Sequence, residues 1–203
     1  MKNLRCFLAF IVIMSAGPLY ADTDLTLFGA AQHQGQLTVR TATAAAATAA
    51  TFNPGTFGMF GLRVSQGGIV GTDHTFAYAP NFLEASTKAF IYNSDFLLQA
   101  PLPKVKPYGV AGLGTIFSWG TDNGRPSFAK IGTKFALNYG GGIKVFPAGP
   151  VGIRFDVRGY VVPDAKFNVP VSPLTDPLAT IKSQGQTLNL LEAGFGIIFS
   201  LPK

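Results

Sequence analysis

From Val151 to Val161 the chain alternates without a break. Val151, Ile153, Phe155, Val157 and Val161, with Gly159, fall on one face of an extended strand; Gly152, Arg154, Asp156, Arg158 and Tyr160 fall on the other. Successive side chains of a strand point to opposite faces, whereas a helix would scatter Arg154, Asp156 and Arg158 around its circumference. These eleven residues are long for a strand, usually ~5–6, and close to the ~9–11 of a tilted membrane strand. A face that is apolar throughout needs a core or lipid over it, and the charged face behind it needs water or partners.

The same pattern recurs. Leu191, Ala193, Phe195, Ile197 and Phe199 oppose Glu192, Gly194, Gly196 and Ile198; Phe135, Leu137, Tyr139, Ile143 and Val145 oppose Lys134, Ala136, Asn138, Gly140, Gly142 and Lys144. Four stretches are less regular but legible. Leu25, Leu27 and Ala31 oppose Thr26, Ala30 and Gln32, and Phe60, Leu62 and Val64 oppose Met59 and Arg63. Thr72, His74, Phe76 and Tyr78 oppose Asp73 and Thr75, and Phe90, Tyr92, Phe96 and Leu98 oppose Asn93, Asp95 and Gln99. Tyr108 to Trp119 is a strand by length and flanks, with glycines that leave its faces ambiguous.

Eight strands result, joined by short turns at 66–68, 101–104 and 147–150, a modest link at 81–87, and long links at 33–54, 120–132 and 162–186. Short turns at one end and long loops at the other is the layout of an outer-membrane barrel. The prediction is an all-β protein, an eight-stranded antiparallel up-and-down transmembrane β-barrel over residues 22–203. Tyr108 and Phe117 bracket the fifth strand as interface aromatics; nine steps at ~3.3 Å, tilted by ~45°, rise about 21 Å, near the ~25 Å apolar band.

Composition agrees. Charged residues are 13%, against roughly 25% in soluble domains, while 47% hydrophobic content excludes disorder. Residues 1–21 read as a secretory signal peptide: Lys2 and Arg5, then the apolar Phe7 to Ala16, a break at Gly17-Pro18, and Ala21 at the cut, with Ala16 as the other candidate. That apolar stretch falls short of the ~20 residues of a membrane-spanning helix. The longest later uncharged stretch, 41–62, carries Asn53-Pro54-Gly55 and further glycines. Cys6, the single cysteine, leaves with the leader. The net charge of +6 falls to +4 without Lys2 and Arg5 and forms no dense run, so nucleic acid is not an expected partner.

The opening Leu25-Thr26-Leu27-Phe28-Gly29-Ala30, the central Pro107-Tyr108-Gly109-Val110-Ala111-Gly112-Leu113-Gly114 and the closing Glu192-Ala193-Gly194-Phe195-Gly196-Ile197-Ile198-Phe199 resemble the small eight-stranded outer-membrane barrels, the OmpA- and OmpX-like transmembrane domains. The resemblance spans essentially the whole chain after the leader. It implies a porin-like barrel in the outer membrane of a Gram-negative cell envelope, with outer-membrane lipid and the barrel-assembly machinery as partners. A tether to the cell wall through an appended peptidoglycan-binding domain is not expected. The chain continues past Phe199 to Lys203, where members of that family usually stop on the aromatic.

No catalytic, metal or cofactor set is expected. His33 and His74 have no Cys, Asp or Glu at a metal-ligand spacing. Gly140-Gly141-Gly142-Ile143-Lys144 lacks P-loop spacing, and the glycines at 109, 112 and 114 precede no helix. They read as room for strands to bend and pack. The tract 44–50 and the prolines at 163, 170, 173 and 177 read as mobile external loops, open to an undefined ligand or surface partner.

What remains is an inward charge set: Arg63, Asp95, Lys134, Lys144, Arg154, Asp156, Arg158 and Glu192. An eight-stranded interior is only wide enough for side chains. The favoured reading is a lumen filled by paired charges, Glu192 facing Arg154 or Arg158, with a narrow ion path as the alternative. Three functions follow: a non-enzymatic barrel with a structural or surface-interaction role, a small pore, and a lipid-modifying enzyme. The last is disfavoured because no His is followed two positions on by Ser. A soluble lipocalin-like carrier fits poorly, because both faces of its strands cannot be core.

Overall fold

The computed structural model describes residues 22–35, 37–43, 46–52, 55–122, 125–126, 130–170 and 180–201; residues 1–21, expected to be a leader, lie outside them. Eight long strands are present: β1 (Thr23–Gln34), β2 (Thr56–Gly67), β3 (Val70–Ala79), β4 (Thr87–Gln99), β5 (Val105–Asp122), β6 (Gly132–Ala148), β7 (Val151–Ala165) and β8 (Gln186–Leu201). Each pairs antiparallel with its neighbours in sequence, and β1 pairs with β8 from Thr23↔Leu201 to Gln34↔Leu190, which closes the sheet into a barrel. Closure removes every long sheet edge and satisfies the backbone internally, the condition for strands to cross a bilayer.

Tight turns join β2 to β3, β4 to β5 and β6 to β7; at this turn end Gly67 and Gly149 take left-handed φ values of 120° and 68°. The opposite, loop end carries the long connections. The first of these differs from the sequence expectation: Leu37–Thr43 and Ala46–Phe52 form a two-stranded ribbon, so the Ala/Thr-rich tract is extended and paired. Residues 44–45 lie outside the described part. Asn168–Pro170 pairs with Thr180–Lys182 in a second ribbon, while 171–179, with the prolines at 173 and 177, is not described. The modest link between β3 and β4 folds inward, burying Phe82 against Phe57 at 5.2 Å.

The faces follow the alternation. Outward side chains include Leu27, Phe60, Phe96, Phe135, Phe155, Val157, Phe195 and Ile197, each 44–57% exposed. Such a contiguous apolar belt is foreign to a water-soluble monomer. Among the described residues no helix is long and apolar enough to cross a membrane. One interface assignment is corrected. Tyr108 and Phe117 are an odd number of residues apart and so point to opposite faces. Phe117 is outward beside Trp119 at 5.4 Å, but Tyr108 is 7% exposed and turned into the lumen.

Candidate functional site: the barrel lumen

Every inward position on the turn-end half of β7 carries a polar or small side chain, and the register sets what each meets. Arg154 pairs across to Lys144 of β6 and Gly196 of β8; Arg158 pairs to Gly140 and Glu192. The glycines leave the guanidinium groups free to cross the lumen instead of packing on neighbouring strands. Arg154 reaches β3, donating Nη1 to Asp73 Oδ1 at 3.1 Å and Nη2 to Asp73 Oδ2 at 2.9 Å, and Nε to Asp156 at 3.2 Å. Arg158 donates Nη2 to Asp73 at 2.5 Å and Nη1 to Asp95 at 2.8 Å. Arg63 donates to both Asp156 and Glu192 and lies 3.8 Å over the Phe28 ring. Glu192 also accepts from Tyr160 Oη at 2.7 Å, and Tyr108 Oη donates to Asp156. Nearer the turns, Lys144 Nζ donates to Asp24 at 2.7 Å and Gln99 at 3.3 Å.

Seven of the eight charges predicted for the lumen therefore face it. Lys134 does not: it stands at the loop-end rim, partly exposed, paired at 3.5 Å with the exposed Asp164. Its strand position has the inward parity, but it is the third residue of β6, at the loop end, where a long side chain reaches solvent. The partner of Glu192 is also corrected. Arg158 is its register neighbour, yet its guanidinium turns away, and Arg63 of β2, two strands off, takes the carboxylate. Asp73, the acceptor for two arginines, was legible as inward but not as a hub. Asp24 and Tyr108 were missed, and Tyr160 was placed on the charged face but not in the network; inward parity close to other inward polar residues is the signal for Asp24 and Tyr160, whereas Tyr108 has apolar Val110 as its inward neighbour.

The loop-end half of the lumen is a different medium. Phe57, Met59, Ala77, Ile91, Ile116, Ala136, Val162 and Leu188, together with Phe82 and Phe167 from the connections, form one buried apolar cluster. The barrel is thus filled twice over: interlocked charges below, a packed hydrophobic layer above.

Glycine supplies the space for the charged layer. A Cβ on Gly142 would sit 1.9 Å from Phe155 O and 2.5 Å from Tyr108 Oη. Overpacking of this kind costs about 1–3 kcal/mol, so Gly142→Ala should lower the urea midpoint of the folded barrel clearly. Gly29→Ala, facing outward with nothing within 4 Å, should leave it unchanged. Gly152→Ala belongs with Gly142, since Val145 O and Phe146 Cδ1 stand 2.6 and 2.7 Å from its Cβ position.

Outside the lumen, His33 Nδ1 meets Thr56 Oγ1 at 2.9 Å near the loop end. His74 stands on the outward parity of β3, register-paired with Ser94 and stacked at 6.4 Å on Tyr92, whose Oη lies 3.3 Å from its Nδ1.

No family model and no curated protein matches the chain. Among solved structures it is similar to Neisserial surface protein A, with a TM-score of 0.57 and 10% identity over 88% of this chain and 97% of that one. It is equally similar to the outer membrane protein OprG from Pseudomonas aeruginosa, at 0.57 and 11% over 91% and 98%. The N-terminal β-barrel domain of Pseudomonas aeruginosa OprF gives 0.52 and 11% over 88% and 97%. Identities at this level speak for the fold, and a fold does not carry a function with it. In architecture the chain is a small, closed, eight-stranded antiparallel barrel, the fold it shares with these outer-membrane proteins.

Proposed function

We propose that the chain is an integral protein of the Gram-negative outer membrane, exported by the leader at 1–21, in which the barrel is a non-enzymatic anchor with a side-chain-filled lumen. Its role is structural or one of surface interaction, exercised through the loop end, which faces the cell exterior while the tight turns face the periplasm. Outer-membrane lipid covers the apolar belt, and the barrel-assembly machinery inserts it. The observation that carries this reading is the doubly filled interior: a solute entering from the loops meets the apolar cluster around Ile91 and Ile116, and below it arginines already bonded to carboxylates. Neither layer offers a continuous aqueous path. The enzymatic alternative has one feature in its favour, His74 opposite Ser94. That pair lies mid-strand, below the headgroup level where lipid ester bonds are found.

The test is fractionation with reconstitution. The protein should sediment with the outer membrane, run as a compact fast band on an unheated SDS gel that shifts on boiling, and carry little or no steady current in planar bilayers. Recovery in the soluble periplasmic fraction would overturn the membrane reading. A large stable conductance would make the small pore the leading one.

A further inference from the structure

The ionisable side chains sealed inside the barrel do not balance. Among the described residues the buried cations of the lumen are Arg63, Lys144, Arg154 and Arg158, four in all; the buried carboxyls are Asp24, Asp73, Asp95, Asp156 and Glu192, five in all. Asp24 and Lys144 form a separate one-to-one pair at the turn end. That leaves three arginines facing four carboxyls in the centre. A net charge sealed in a low-dielectric interior costs so much that a group neutralises instead of bearing it.

The hydrogen bonds single out which carboxyl is surplus. Asp73 accepts from Arg154, Arg158 and Ser65; Asp156 from Arg63, Arg154 and Tyr108; Glu192 from Arg63 and Tyr160. Asp95 has one cationic contact, Arg158, and that guanidinium is shared with Asp73. Its second oxygen, Oδ1, is buried with no hydrogen-bond partner. Asn93 Oδ1 is likewise buried without a partner, its Nδ2 given to Tyr160, and Asn138 is unpartnered at both Oδ1 and Nδ2, so its amide is free to turn its oxygen to an acid. Asp95 and Asn138 are both register partners of Gly112, on either side of it. A Cβ there would fall 2.4 Å from Asp95 Oδ1, so this oxygen leans over bare backbone toward Asn138.

We infer that Asp95 is a proton-binding site: in the folded barrel it is a neutral carboxylic acid that accepts from Arg158 through Oδ2 and donates its proton from Oδ1 to the side-chain oxygen of Asn138 or Asn93. With that proton in place, three arginines face three carboxylates.

Infrared spectroscopy of the intact barrel in detergent at neutral pH tests the assignment. A protonated-carboxyl C=O stretching band should be present, should shift in protein labelled with carbon-13 at the aspartate carboxyls, and should vanish in Asp95→Asn. Because Asn keeps the acceptor and supplies an N–H where the acid supplied its O–H, Asp95→Asn should unfold within the same urea range as the wild type. No such band in the wild type, a band that survives Asp95→Asn, or an Asp95→Asn barrel that is markedly weakened or fails to fold would each overturn the inference.

Discussion

Glu192→Gln should lower the stability of the folded barrel by about 3–5 kcal/mol, the usual effect of removing one member of a buried ion pair. The carboxylate and Arg63 are both completely inaccessible in their side chains. Gln keeps the shape but not the charge, so Arg63 keeps one carboxylate, Asp156, beside the Thr75 hydroxyl, and Tyr160 Oη loses a charged acceptor. Asp95 takes its hydrogen bond from Arg158, so it does not replace Glu192 as the acceptor for Arg63. The geometry also fixes the coupling. Arg63→Gln combined with Glu192→Gln should recover part of the loss, because the uncompensated cation is gone. Arg158→Gln should not, although Arg158 is the register neighbour, because its guanidinium serves Asp73 and Asp95. Urea unfolding of the six proteins of the two cycles in phospholipid vesicles, read by the mobility shift on SDS gels, gives the interaction energies. A cycle in which Arg158 couples to Glu192 and Arg63 does not would mean that the lumen side chains are arranged otherwise.

That contrast marks the boundary of what the sequence discloses. Period-two alternation determines which face a residue takes, so Arg154, Asp156, Arg158 and Glu192 were legible as inward from β7 and β8 alone. It does not determine which charge meets which. In a barrel this narrow a guanidinium crosses the lumen, and its partner depends on the closing register of β1 with β8 and on where glycines such as Gly140 and Gly196 leave space. Hence Arg63, on a short and irregular stretch, was placed inward but not matched to Glu192. The apolar upper layer was hidden for a related reason. Toward the loop end of β4 the inward residues Ala89 and Ile91 are as apolar as the outward Phe90, so the alternation that reveals a strand's faces disappears there. The tract 46–50 shows the opposite failure. Ala and Thr have no strong period and read as loop, and only pairing with 39–43 makes them a strand.

Phe155→Arg tests the other face of the same strand. Phe155 sits in the middle of β7, 44% exposed, register-paired with Phe195 on β8 and Ile143 on β6, its ring 5.2 Å from that of Phe195. If lipid covers this belt, an arginine there lies near the bilayer midplane and should cost about 2–4 kcal/mol. Val151→Arg, at the first position of β7 by the turn end, points to the same face but reaches headgroups, and should cost only about 0–1 kcal/mol. Part of the Phe155 effect comes from losing the aromatic pair, roughly 0.5–1.5 kcal/mol, and Phe155→Leu isolates that part. The measurement is the unfolding free energy of each variant in vesicles. The depth dependence carries the argument: arginine in a water-exposed sheet would be tolerated alike at 151 and 155 once the ring contact is subtracted. Equal costs at the two positions would therefore take the lipid off this face, and with it the reason for reading β7's apolar side as the outside of a membrane barrel.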